Sequence, residues 1–193
     1  MEIVKYPHPA LAWKSTPVTK INADLRNIVE EMFELMYEAR GIGLAGNQVA
    51  LPWRLFVINP TGDPEEKDAE MVFINPEIVS RSGSEEAEEG CLSLPDVFGD
   101  VRRAEKIVVE AFDLQGNDMS YEMSELPARA VLHEIDHLDG VMFTDRMTDA
   151  GRRELEPRLK DFEDYFRRQQ ESGATPNDEE LRKTLESLES QQA

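Results

Sequence analysis

"AVLHEIDHLDG", residues 130–140, is the stretch on which the reading of this chain turns. It holds two of the three histidines, His133 and His137, four residues apart, with Glu134 directly after the first. Positions i and i+4 share one face of an α-helix, so both imidazoles can point at a single ion. Ala130, Val131, Ile135 and Leu138 surround them at helical spacing, which predicts a buried helix from about residue 125 to Leu138 that stops at Asp139-Gly140. A buried imidazole needs a partner, and His137 has none in view unless it binds a metal. Glu134, beside a ligand, is placed to act as general base on a water at that metal. The plainer alternative, a surface helix with two incidental histidines, does not fit these apolar flanks.

A catalytic metal takes three protein ligands and keeps one position open for water. No histidine follows His137, and the downstream Glu154, Glu156 and Glu163 belong to a charged amphipathic stretch. Upstream, "EEGCLSLP" (88–95) contains Cys91, the one cysteine of the chain. A lone cysteine is ordinarily a small buried hydrophobe. Here "SGSEEAEEGCLSLP" reads as a polar approach to a tight turn and not as a core strand, so Cys91 is free to complete a Cys-His-His set.

Working outward, 193 residues suffice for one domain with a sizeable core and a tail. A formal charge of −19 argues against broad attraction to nucleic acid or to an anionic membrane. A single cysteine excludes an intrachain disulfide and suits a reducing, cytoplasmic compartment. The start, "MEIVKYPHPALAWKS", has no long apolar core of a secretory signal, and no run approaches a membrane span. Leu25, Ile28, Val29, Met32, Phe33, Met36 and Tyr37 mark a helix with Asn22 as its N-cap, ending at Gly41 before a glycine-rich loop, "GIGLAGNQVAL". Strands follow at "RLFVIN", "MVFINP", "EIVSR", "EKIVVEAFD" and "DMSYEM". Leu155, Leu159, Phe162, Tyr165 and Phe166 mark a C-terminal amphipathic helix. The expected class is α+β: mixed or antiparallel strands around a central H-E-x-x-H helix, with long N-terminal and C-terminal helices. Residues 1–168 form the expected catalytic domain. Residues 169–193 form a polar tail, with 177–190 either a short exposed helix or disordered.

Three motifs in this order resemble the peptide deformylase family: "GIGLAGNQ" (41–48), "EGCLS" (89–93) and "HEIDHLDG" (133–140). "IVKYPHPALAWKSTPV" (3–18) is similar to the family's N-terminal segment, and the resemblance extends over roughly residues 3–166. It implies removal of the formyl group from N-formylmethionyl peptides by a metal-dependent hydrolase. It further implies Cys91, His133 and His137 as ligands of one divalent ion, natively Fe²⁺, with Zn²⁺, Ni²⁺ or Co²⁺ as substitutes. Glu134 would move the proton, while the Gln48 amide and the Leu92 backbone N–H would steady the developing oxyanion. Ile42, Gly43 and Gly90 would pair with the substrate main chain, the glycines allowing close approach.

The chain departs from the pattern at Leu132, where the family often has glutamine, and at Phe98, where some relatives place a basic substrate contact. It also departs at Arg129, where an apolar residue often lines the methionine pocket. Arg129 and Leu126 are expected to border that pocket, the arginine stem packing on the substrate and its head reaching water. Two rivals are an H-E-x-x-H peptidase, which leaves Cys91 and Gln48 without a task, and a non-catalytic binder of formylated peptides. A monomer is expected, with no membrane contact and no direct nucleic-acid role. Ribosome contact is expected to be weak, because Glu154, Glu156, Asp161, Glu163 and Asp164 interleave with the arginines of the C-terminal helix.

Overall fold

The computed structural model describes residues 1–192. Their elements run α1 (Ala23–Glu38), β1 (Gly43–Ala45), β2 (Leu55–Ile58), β3 (Met71–Ser82), β4 (Glu85–Cys91), β5 (Leu94–Arg103), β6 (Lys106–Phe112), β7 (Asp118–Ser124), α2 (Glu125–Leu138), α3 (Asp149–Glu171) and α4 (Asp178–Glu189). The class is α+β, and every strand pair is antiparallel. Five strands form one sheet in the order β1-β2-β3-β6-β7, while β4 and β5 form a separate two-stranded hairpin.

The N-cap of α1 is Asn22, whose Oδ1 accepts from the Leu25 amide at 2.9 Å. The helix buries Leu25, Val29, Met32, Phe33 and Met36. These side chains pack with Leu44, Leu55 and Val57 of the sheet. The helix ends at Glu38, before Gly41, and Arg40 takes the left-handed conformation at φ 57°. The Gly41 amide reaches back to the Met36 carbonyl at 2.8 Å, which satisfies the frayed end.

"MVFINP" and "EIVSR" are one strand, β3, and not two. Its register against β6 shifts between Ile74 and Glu77, at Asn75-Pro76. Asn75 has φ 52° there, and its side-chain amide pairs with both the N–H and the C=O of Val18, each at 2.8 Å. The proline, which has no N–H to give, falls at the irregularity where the ladder loses none.

Helix α2 lies against this sheet. Val131, Ile135 and Leu138 pack with Phe56, Ile58, Phe73, Ile107 and Val109, so the helix that bears both histidines is buried in the main core. Two expectations are corrected here. "GIGLAGNQVAL" is not a loop throughout: Gly43–Ala45 is a sheet strand and Gly46–Val49 a 3-10 turn. "SGSEEAEEGCLSLP" is not merely the approach to a turn: Glu85–Cys91 is a strand paired with Leu94–Arg103. Most of β4 faces solvent, so its acidic composition carries no apolar alternation to mark it.

The C-terminus differs from a solvated tail. Helix α3 continues past residue 168 to Glu171, and α4 folds back on the N-terminal segment. Leu185 is buried, Trp13 Nε1 donates to Glu189 Oε1 at 2.7 Å, and Trp53 Nε1 donates to the Leu188 carbonyl at 3.0 Å. Among the described residues no helix is long and apolar enough to cross a membrane.

Candidate active site

Three stretches distant in sequence meet around one cavity of about 540 Å³. The turn after β1 brings Gln48, the end of β4 brings Cys91, and α2 brings His133 and Glu134, with His137 fully buried behind them. The ligand atoms of Cys91, His133 and His137 all lie within 4.8 Å of one another. Cys91 Sγ is 3.2 Å from His137 Nε2. His133 Nδ1 is 3.0 Å from Glu89 Oε2, which leaves Nε2 of that ring for the cluster. Burial would raise the Cys91 thiol, but His137 and His133 outweigh it and hold it well below its ordinary range. A buried thiolate and two imidazoles form a donor set that suits a transition-metal ion. The residues therefore fit the divalent metal that the sequence implied, although thiolate and imidazole accept several metals.

Glu134 completes the cluster. Burial raises its carboxyl to about 7, with the two histidines opposing. Its Oε2 is buried without a hydrogen-bond partner among the described residues. Such an atom is costly unless something that is not a protein group meets it, and it belongs to a residue that lines the cavity.

Gln48 is buried and held in one orientation. Its Oε1 accepts from the Ala45 amide at 2.8 Å, so its NH₂ faces Cys91 Sγ and Ser93 Oγ, each at 3.4 Å. The preceding Asn47 anchors the turn: its Nδ2 donates to the carbonyls of Ala10 and Trp13 at 3.0 and 2.6 Å. The N-terminal segment thus braces the site, and Lys5 Nζ adds a bond to the Leu92 carbonyl at 2.7 Å. Ile42, Gly43, Gly90, Leu92, Leu126 and Phe98 also line the cavity.

A family model described as polypeptide deformylase matches residues 1–153. The chain belongs to the peptide deformylase family. It is 42% identical over 181 residues to a peptide deformylase of Rhodopirellula baltica, covering 94% of this chain and 90% of that one. A deformylase of Acidobacterium capsulatum is 50% identical over 153 residues, 79% of this chain and 89% of the relative. Among solved structures, a plant peptide deformylase superposes with a TM-score of 0.85 at 38% identity, covering 92% of this chain and 95% of that chain. The enzyme of Plasmodium falciparum gives 0.84 at 35% identity, with 86% and 97% covered.

Seen as a deformylase, the chain shows a set of contacts at Arg129 and a buried group that the sequence alone did not reveal. Arg129 lines the cavity, and its head is engaged by protein groups at the edge of solvent. Nη1 bonds Glu89 Oε1 at 2.8 Å and the Val101 carbonyl at 2.9 Å, and Nη2 bonds the Glu85 carbonyl at 3.1 Å. The missed group is the buried carboxylate of Glu89 with its partners. Arg103 grips it in a two-point fork, Nε to Oε1 and Nη2 to Oε2, both at 2.8 Å. Arg103 also pairs with Asp136, which Arg146 holds from the other side. Burial would raise the Glu89 carboxyl, yet Arg103 and His133 hold it well below the usual carboxylate range. A ligating imidazole nearly always gives its second nitrogen to a carboxylate or carbonyl; Glu89, two residues before Cys91, was the signal available.

Proposed function

We propose that the cavity binds the formyl-methionyl end of a polypeptide and hydrolyses the formyl amide, releasing formate. The observation that carries this reading is the Gln48 amide turned toward Cys91 Sγ at 3.4 Å, with Glu134 Oε2 left without a hydrogen-bond partner among the described residues. An H-E-x-x-H peptidase has no use for that pairing.

Cys91, His133 and His137 would hold one divalent ion, which supplies Lewis acidity to the reacting water and the formyl oxygen. Glu134 takes the proton from the attacking water and returns it to the methionine nitrogen as the formyl C–N bond breaks. Burial favours the protonated form of this carboxyl, with the two histidines opposing, which helps it hold the proton before passing it on. Gln48 Nε2 and the Leu92 N–H donate to the oxygen on which charge collects. Ile42, Gly43 and Gly90 offer main chain to an extended peptide, and Leu126 borders the place of the methionine side chain. Fe²⁺ is proposed as the native ion on the strength of the family resemblance, with zinc, nickel and cobalt as substitutes. The protein acts as a cytoplasmic monomer that contacts ribosomes weakly.

The test is incubation of Fe²⁺- or Ni²⁺-loaded protein with formyl-Met-Ala-Ser. Formate without peptide-bond cleavage supports the reading; internal cleavage of the peptide would transfer it to the peptidases, and neither product would leave a binder.

A further inference from the structure

Cys91 reaches the histidines from an element that the main sheet does not hold. β4 pairs only with β5, in a hairpin separate from the five-stranded sheet, whereas His133 and His137 stand on α2, packed against that sheet. Backbone hydrogen bonds therefore do not set the distance between the thiolate and the imidazoles. An apolar cluster of Leu94, Val97, Val101, Met142 and Phe143 supports the hairpin from one side. On the cavity side the hairpin is tied to α2 by charged side chains: Arg103 to Asp136, Glu89 to His133, and Arg129 to Glu89.

Arg129 touches both strands. From α2 it bonds Glu89 and the Glu85 carbonyl on β4 and the Val101 carbonyl on β5. Both of its terminal nitrogens are engaged by the hairpin. Glu89 in turn receives four bonds: Arg103 and Arg129 on Oε1, Arg103 and His133 on Oε2. Without Arg129, Oε1 keeps one partner, and the hairpin loses its two side-chain ties to α2 through the Glu85 and Val101 carbonyls.

We propose that Arg129 is a positioning residue for the metal ligands and not a contact to the substrate: it clasps the β4–β5 hairpin to α2 and so sets Cys91 against His133 and His137. The inference rests on reading those three residues as the ligands. Its consequence is tighter metal binding, because the ligands are held in place before the ion arrives and His133 is kept in the tautomer that offers Nε2.

The experiment compares full-length wild type, Arg129→Met, which keeps the stem, and Arg129→Lys, with Co²⁺ as probe. Thiolate-to-cobalt absorption in the wild type, absent in Cys91→Ser, tests the ligand reading first; without it, the assignment of ligands fails and not the clasp alone. Arg129→Met is then expected to bind Co²⁺ about 10-fold more weakly in chelator competition, within the 10–100-fold typical of such supports. Its thiolate band should shift, and Lys should restore part of the affinity. KM for formyl-Met-Ala-Ser at saturating metal should be unchanged. Wild-type cobalt affinity in Arg129→Met would overturn the proposal, and a raised KM in that case would assign Arg129 to the substrate. Should Arg129→Met not fold, Arg129→Gln carries the same comparison.

Discussion

Gly43 leaves no room for a β-carbon beside Glu134: a Cβ at that position would lie 3.0 Å from the carboxylate carbon and would overlap Oε1 outright. The strand proposed to offer main chain to the peptide is thus pressed against the proposed proton carrier. Gly43→Ala is expected to swing the Glu134 carboxylate away from the metal ligands and cut kcat by about 10²-fold, since misplacement by about 1 Å has that scale of effect. Metal content should remain that of the wild type. An alanine variant with normal turnover would show that Glu134 can move without cost.

Glu134→Gln removes the proton carrier and leaves Cys91, His133 and His137 in place. Metal should be retained and turnover should fall about 10²–10⁴-fold. Formate release at close to the wild-type rate would remove Glu134 from its role, whatever the metal content.

Cys91→Ser exchanges a thiolate for a hydroxyl that stays protonated at neutral pH. Burial opposes the thiolate, and the two histidines stabilise it; serine has no equivalent. The variant should lose metal to a chelator that the wild type withstands. In the wild type the same thiolate is open to oxidation, so activity with Fe²⁺ should decay in air and activity with Ni²⁺ should persist. Equal survival of the two forms would argue against thiolate ligation.

The two histidines of the Cys-His-His cluster were legible because i, i+4 spacing and the apolar residues around it are local facts about one helix. The Asn22 cap and the face of α1 were legible for the same reason. The β4–β5 hairpin was not, because β4 is mostly exposed and acidic, and its one deeply buried charge, Glu89, finds its partner Arg103 fourteen residues away on the next strand. The partners of Arg129 were not legible because they are 28 to 44 residues distant. Single-helix reasoning placed it at the pocket and had no means to see what its guanidinium meets. The docking of α4 is more remote still: the tryptophans that hold it lie 176 and 135 residues upstream of their partners.

His8 gives the fold an acid-sensitive point away from the metal ligands. Burial lowers its pKa from 6.5 to about 4, with Asp178 opposing. Its Nδ1 accepts from the Ala10 amide at 3.2 Å, and its ring meets Phe166 edge-on with centroids 6.1 Å apart. The unfolded chain takes the proton more readily than the folded one. Stability is therefore whole above pH 6.5 and falls as pH drops toward 4, by at most about 3 kcal/mol. His8→Asn keeps an acceptor for Ala10 and should flatten this slope. The difference between the two proteins, read from melting temperature against pH, isolates His8 from the histidines of the metal set. Parallel curves would sink the assignment.

The C-terminal helix is expected to matter for stability more than for ribosome contact. Removing residues 176–193 would uncover Leu185's site and leave Trp13 Nε1 and Trp53 Nε1 without Glu189 and the Leu188 carbonyl. It would also free Thr19, whose amide donates to Gln192 Oε1 at 3.2 Å. Burying one leucine is worth about 1.5–3 kcal/mol, and two lost indole hydrogen bonds add about 1 kcal/mol each. A loss of roughly 3.5–5 kcal/mol lowers the melting temperature of a chain of this size by about 7–20 °C. Tryptophan emission should shift to the red at the same time, because both indoles become wetter. The segment that α4 covers contains Ala10 and Trp13, whose carbonyls hold Asn47 beside Gln48, so turnover should fall with metal content unchanged. Co-sedimentation with ribosomes should be weak with or without residues 176–193, since the basic side chains of α3 are interleaved with acids. A truncated chain that melts at the wild-type temperature with unshifted emission would show that α4 is not held by these contacts. Tight, salt-sensitive ribosome binding lost with the same truncation would assign the helix to that partner instead.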